Sequence, residues 1–150
     1  MKLYTIGFTK KNAQQFFDIL KKHNIDLLLD IRLNNKTQLA GFTKCDDLAY
    51  FLKEICNCNY EHKLEFAPTK DILDDYKDKK ISWNEYEYKY KKLIQDRNSK
   101  NKFCEKFYEN YSQYHNIVLL CSEPTPDKCH RRLAAEKIAE VIPSLLIGHL

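Results

Sequence analysis

The stretch Ile117-Val-Leu-Leu-Cys-Ser-Glu-Pro-Thr-Pro-Asp-Lys-Cys-His-Arg-Arg-Leu133 sets the fold class of this 150-residue chain. Ile117 to Leu120 are four β-prone apolar residues in succession, the pattern of a strand covered on both faces. Pro124 and Pro126 hold the following loop out of helix. Cys129, His130, Arg131 and Arg132 then open a helix whose apolar spacing continues through Ala134, Ala135 and Ile138. A doubly covered strand feeding a helix through a short loop is half of a parallel βαβ unit. The order also makes a place for an anion, because a helix start offers unpaired N–H groups and the positive end of its dipole.

The rest of the chain repeats the theme. Leu3 to Ile6 reads as a first strand ending at Gly7. Thr9 is positioned to cap a helix in which Ala13, Phe16, Phe17 and Leu20 fall on one face. Asn24, tolerant of the left-handed conformation, ends that helix with His23. Leu27 to Arg32 is a second near-continuous apolar strand, so the chain opens as a right-handed strand–helix–strand unit. A polar loop over 34–41 leads to a helix from about Asp46 with Leu48, Phe51, Leu52 and Ile55 inward. Asn59 to Leu64 forms a third strand. Thr69 can cap a helix bearing Ile72, Leu73 and Tyr76, and Ser82 with Glu85 makes a capping box for the next, which carries Trp83, Tyr86, Tyr90, Leu93 and Ile94. Phe103, Phe107, Tyr111 and Tyr114 recur at helical spacing within 99–115, and Leu145 to Ile147 is a last strand. The expectation is one α/β domain: a mainly parallel sheet flanked by helices on both faces, with an inserted helical segment at about 69–98.

Composition excludes several classes. Lys and Arg number 25 against 21 Asp and Glu, a net +4 too modest to argue for nucleic acid alone. With three glycines there is no glycine-rich phosphate loop. No apolar run approaches the roughly 20 residues that span a bilayer, so the expectation is a soluble, cytoplasmic protein without a membrane partner. The six cysteines lack a small-scaffold framework and are read as thiols. Cys56-Asn57-Cys58 lacks the two-residue spacer of a metal knuckle or redox dithiol.

In open parallel sheets ligands sit beyond the carboxyl ends of the strands. Three segments converge there: Gly7 to Thr9, Asp30 to Arg32 with the loop after it, and Cys121 to Arg131. Cys129 at a helix start beside Lys128, His130 and Arg131 is the leading candidate for a thiol of lowered pKa; its bland alternative is a small residue closing the loop. Cys121 stands where phosphatases and rhodaneses carry their nucleophile. Those loops place an arginine six residues later, where this chain has Asp127, so that signature fails. Arg131, Arg32, Thr9, Gly7 and Lys128 are candidate anion contacts, His130 a proton carrier, and Asp30 and Glu123 orienting groups. The competing reading is that Asp30–Arg32 and Glu123 with His130 or Arg131 are structural pairs. No ligand set has paired zinc spacing, so neither metal nor other cofactor is expected.

These stretches resemble the domain-of-unknown-function family 488. The residues that carry the likeness are Thr5-Ile-Gly7 with Thr9, Leu29-Asp-Ile-Arg32, Leu120-Cys-Ser-Glu123 and Cys129-His-Arg131, with His149 at the close. Ala67-Pro-Thr-Lys-Asp71 and Ile81-Ser-Trp-Asn-Glu-Tyr86 place it with one branch. Where that family often has a proline after Arg32, this chain has Asn34-Asn35. The resemblance implies a compact α/β fold and a shared pocket, and brings no reaction with it. The leading expectation is an enzyme-like domain acting on a small phosphorylated or other anionic ligand, a nucleotide among the candidates. Two others stay open: a non-catalytic nucleic-acid module using the lysine and tyrosine face around 86–92, with Lys89, Lys91 and Lys92, and a redox sensor pairing Cys121 with Cys129. The Trp83-Tyr86-Tyr90 and Phe103-Phe107-Tyr111 faces read either as core or as an aromatic platform for bases.

Overall fold

The computed structural model describes residues 1–36 and 40–150. Five strands, β1 (Lys2–Gly7), β2 (Leu27–Asp30), β3 (Asn59–His62), β4 (Asn116–Cys121) and β5 (Leu146–His149), form one sheet of order β3-β2-β4-β1-β5. Every pairing is parallel. The α/β class and parallel sheet expected from the apolar runs are therefore present. So are six helices: α1 (Ala13–Lys22), α2 (Cys45–Cys56), α3 (Lys70–Lys77), α4 (Trp83–Asn101), α5 (Phe107–Tyr111) and α6 (His130–Val141).

Alternation along the strands divides the core into two layers. Leu28, Val118, Leu120 and Ile6 meet α1 and α2 through Phe16, Phe17, Leu20, Leu48 and Leu52. Leu3, Leu27, Leu29, Ile117 and Leu119 face the other way, onto α4, α5 and α6. Tyr90, Ile94, Phe107 and Leu133 complete that second layer. Cys121 continues the register of Ile117 and Leu119, which turns it toward α4 and α6.

Several boundaries differ from expectation for identifiable reasons. Asn12, not Thr9, caps α1, in a box with Gln15 whose two bonds are 2.8 and 2.9 Å. The turn before it bends through Lys10 at φ 62°, so the chain needs three more residues before the first helical turn. β2 ends at Asp30, because the carboxylate accepts the backbone N–H of Arg32 and curls the chain away. β3 ends at His62, and Leu64 starts a single 3-10 turn. Ser99 does not begin a helix. It lies within α4, its hydroxyl donating to the Gln95 carbonyl at 2.8 Å, and a left-handed Lys102 ends that helix. Of the aromatic run beyond it, Phe103, Phe107 and Tyr111 are buried and Tyr114 half-buried, but only Phe107 to Tyr111 are helical. The last strand begins one residue later than expected and runs two residues further, at Leu146–His149. Ser82 and Glu85 form the expected box, both bonds at 3.2 Å. Of the polar loop 34–41, residues 37–39 lie outside those described.

Candidate functional site

β4 lies between β2 and β1, so the ends of these three strands are side by side. Cys121 is in register with Gly7, and Leu120 with Asp30. The carboxyl edge opens into a cavity of about 800 Å³, within the range that takes a small organic ligand. Cys121, Cys129 and His130 line its floor, Thr9, Lys11 and Lys128 one lip, and residues from α3 and α4 the opposite wall.

The two cysteines stand together at the cavity floor. Cys121 is 4% exposed and Cys129 2%. The Cys129 thiol donates to the Cys121 sulfur, which lowers the Cys121 pKa against its burial; the N–H groups of Ser122 and Glu123 and the charge of Arg131 act the same way. That hydrogen bond and burial drive the Cys129 pKa upward. Between these two buried sulfurs the lowered pKa falls to Cys121 and the raised one to Cys129. The helix start favours a thiolate at Cys129, whereas its contact with Cys121 and its burial oppose one.

His130 is buried beside them. Its Nε2 bonds the Ile31 carbonyl at 2.9 Å. A carbonyl can only accept, so Nε2 carries the hydrogen and Nδ1 keeps its lone pair in the neutral ring. The Cys121 sulfur lies 3.6 Å from Nδ1, and the Tyr86 hydroxyl 3.5 Å. Cys121, Cys129 and His130 thus bring three donor atoms within 4.8 Å of one another, a set able to hold a thiophilic metal ion with an open fourth position. Cys121 and Cys129 are eight positions apart, a spacing that betrays nothing; the loop closes the distance.

The two candidate arginines are treated oppositely. Arg32 donates from Nε and Nη2 to the Asp30 carboxylate at 2.8 and 2.6 Å, and to Thr43 from Nη2 and Nη1. Tyr60 adds a hydrogen bond to Asp30 at 2.8 Å. Four of the five guanidinium hydrogens are committed, leaving one Nη1 hydrogen on a residue that lines the cavity. Arg131 is fully buried and does not line the cavity. Its Nε donates to the Thr5 hydroxyl at 3.3 Å and Nη1 to the Glu123 carbonyl, while Nη2 has no partner among the described residues. No carboxylate pairs with it among the described residues. Arg131, expected to grip a ligand directly, stands here behind the loop and off the cavity lining. Burial and this nearby charge lower the pKa of Lys11 and of His149. The Thr5 hydroxyl, accepting from Arg131, lies 2.7 Å from His149 Nδ1.

The other candidates fall as follows. Glu123 orients Arg131 by its backbone carbonyl, while its side chain is exposed at the cavity mouth. Gly7 leaves no space for a ligand: a Cβ there would overlap the Glu123 carbonyl and Arg131 Nη1. Thr9 is exposed, its N–H donating to the Ser122 carbonyl at 3.1 Å, and Lys128 is exposed at the same lip. On the lysine-rich face of α4, Tyr86 and Tyr90 belong to the core and Tyr88 alone of these three is exposed. Lys11 and Tyr76 line the cavity without having been expected there, and Trp83, on the aromatic face of α4, joins them. Lys11 carried no local signal, whereas Trp83 lay within the Ile81–Tyr86 motif.

A family model described as domain of unknown function DUF488 matches residues 12–138. The chain belongs to the DUF488 family. The match takes in the Asp30–Arg32 segment and the whole loop from Cys121 to Arg131; Gly7, Thr9 and His149 lie outside it. No curated protein and no solved structure shows significant similarity to the chain. No helix among the described residues is long and apolar enough to cross a membrane.

Proposed function

We propose that this DUF488 protein is a thiol-dependent enzyme acting on a small anionic ligand, with phosphorylated compounds the first class to test. The observation that carries this is Cys121 on the floor of the cavity, its pKa lowered by Cys129 and Arg131. A buried guanidinium without a carboxylate is costly unless another negative group balances it. A Cys121 thiolate is that group.

In this reading His130 Nδ1 accepts the Cys121 proton, giving a thiolate beside an imidazolium. The thiolate forms a bond to the electrophilic atom of the ligand as the bond to the leaving group breaks. The imidazolium returns its proton to that leaving group, and His130, neutral again, activates a water that releases Cys121. Lys11, Lys128 and the Thr9 hydroxyl hold the anion at the lip, and Asp30 keeps Arg32 in place beneath it.

Iodoacetamide alkylation across pH, read cysteine by cysteine by mass spectrometry, tests the assignment. Cys121 is expected to react at lower pH than the other five thiols, and inorganic phosphate or sulfate to slow it. Reaction of Cys121 with a midpoint at or above its ordinary value of about 9 removes it as a nucleophile. A second reading, a dithiol redox switch, draws on the same contact between Cys121 and Cys129. It requires an intramolecular disulfide under mild oxidant, and a chain that keeps both thiols free after such treatment excludes it.

A further inference from the structure

The wall opposite the lysine lip is built from the inserted helices and is aromatic. Trp83 and Tyr86 stack at 5.2 Å between ring centroids with 21° between planes. Tyr76 closes against both, at 5.7 and 5.0 Å. All three line the cavity, with Pro68, Leu73 and Ile81 filling the space around them. Tyr86 is buried, whereas Tyr76 and Trp83 keep part of their surface open. The cluster sits next to the Cys121 thiol, since the Tyr86 hydroxyl and the Cys121 sulfur both approach His130 Nδ1.

The charge around this wall is one-sided. Lys10, Lys11, Lys77, Lys79 and Lys128 line the cavity against one carboxylate, Glu123. Lys10 and Lys79 hold positive φ, 62° and 58°, a conformation uncommon for residues other than glycine. A purely phosphate-binding pocket has no use for three clustered rings, and a purely apolar pocket has none for five lysines. Flat π surface and positive rim together suit a planar heteroaromatic ring joined to a phosphate.

We propose that the Tyr76–Trp83–Tyr86 cluster is a shelf on which a nucleobase stacks, so that the ligand of this cavity is a mononucleotide whose phosphate is held by Lys11 and Lys128. The inference rests on the reading of the cavity as an anion site and narrows its substrate class. A volume of about 800 Å³ is enough for one nucleotide. Every base has a π face, so the shelf selects bases over non-aromatic phosphates without choosing among bases.

Trp83 is the chain's single tryptophan, so its fluorescence reports on the shelf directly. The full chain is titrated with adenosine, guanosine, cytidine and uridine monophosphates, ribose 5-phosphate, inorganic phosphate and a ten-nucleotide single strand. Fluorescence and protection of Cys121 from alkylation are followed in parallel. Mononucleotides are expected to quench Trp83 and to bind roughly 5- to 150-fold more tightly than ribose 5-phosphate, the range that stacking of one base supplies. By calorimetry, Tyr76→Leu is expected to remove most of that advantage and Trp83→Phe only part of it. Lys11→Gln with Lys128→Gln should weaken nucleotides and ribose 5-phosphate alike. If ribose 5-phosphate or phosphate protects Cys121 as well as any nucleotide, with no change at Trp83, the shelf is overturned and the anion site stands. If the single strand binds and no mononucleotide does, the small-ligand assignment is overturned. If nothing tested protects Cys121, the anion reading beneath it fails as well.

Discussion

Gly7→Ala isolates the contact on which the geometry of the thiol loop depends. Gly7 ends β1 in register with Cys121, and it does not have the positive φ that would favour glycine. The substitution therefore strains no backbone torsion, and its whole effect is steric. The added methyl would overlap the backbone carbonyl of Glu123 and Nη1 of Arg131. A flexible side chain could swing aside, but a backbone carbonyl moves only if the 121–123 segment moves with it. Overpacking of this kind costs about 1–3 kcal/mol. For a domain of this size each kcal/mol lowers Tm by roughly 2–4 °C, so a fall of about 2–12 °C is expected by calorimetry. The same displacement withdraws the Ser122 and Glu123 N–H groups from the Cys121 sulfur, so the alkylation midpoint of Cys121 should rise toward about 9. Gly41→Ala is the control. No atom of the described residues lies within 4 Å of a Cβ there, and a change within about 0.5 kcal/mol is expected. A Gly7→Ala protein with unaltered Tm and unaltered Cys121 midpoint would refute the close packing of β1 under the loop.

The pH dependence of stability should have two limbs of opposite sign around the ordinary thiol value of 9.0. Cys121, lowered in the fold, contributes fully above 9 and loses that contribution as pH falls through its folded pKa; Cys121→Ser should flatten this limb in urea titrations. Cys58 and Cys104, pushed up to about 12 by burial, contribute fully below 9, and their share is lost as pH rises toward 12. Cys129→Ala removes the donor to Cys121 and should raise the Cys121 alkylation midpoint, whereas an inert Cys121 would leave the labelling pattern unchanged. Ser82→Ala deletes one half of the box that starts α4 and should cost about 1 kcal/mol by denaturant unfolding, with a change in Trp83 emission because the helix begins at that residue.

The fold was legible because its signals are local. Leu27 to Leu29 and Ile117 to Leu120 announce doubly covered strands, and the Ser82 box and the left-handed Asn24 mark helix ends within a few residues of sequence. The boundaries that differed depend on contacts made across the fold. Asp30 ends β2 by capturing Arg32, a pair that periodicity treats as two more alternating strand positions. The convergence of the Gly7, Asp30 and Cys121 ends followed from topology. The meeting of Cys121 with Cys129 did not, because it depends on how the intervening loop folds back, and no spacing encodes that. The aromatic face of α4 was legible from its spacing, and only its division between core and cavity wall was not. Trp83, Tyr86 and Tyr90 share a helical face, and only packing decides that Tyr90 is enclosed while Trp83 reaches the cavity.

Arg32 and Arg131 stand at the same edge of one sheet, and each is buried, which makes their difference informative. A chain that must enclose a guanidinium for structural ends has a ready solution, and Arg32 displays it: two bonds to a carboxylate, a third and fourth to Thr43, and Tyr60 holding the carboxylate in turn. Replacing Arg32 with Lys should therefore destabilise the chain, since an ammonium cannot reproduce a two-pronged bond to Asp30. Arg131 has no such arrangement among the described residues. It has a hydroxyl, a carbonyl and an unbonded Nη2, and its charge is felt by Cys121, Lys11 and His149. Arg131→Met fills similar volume without the charge. If the cation served packing alone, this variant would be as stable as the parent or more so, with unchanged thiol chemistry. If the cation is there to balance the thiolate, stability holds while the Cys121 midpoint climbs and its reactivity at neutral pH drops about tenfold for each unit of the climb. Loss of stability with no shift at Cys121 would argue that the thiolate was never its partner.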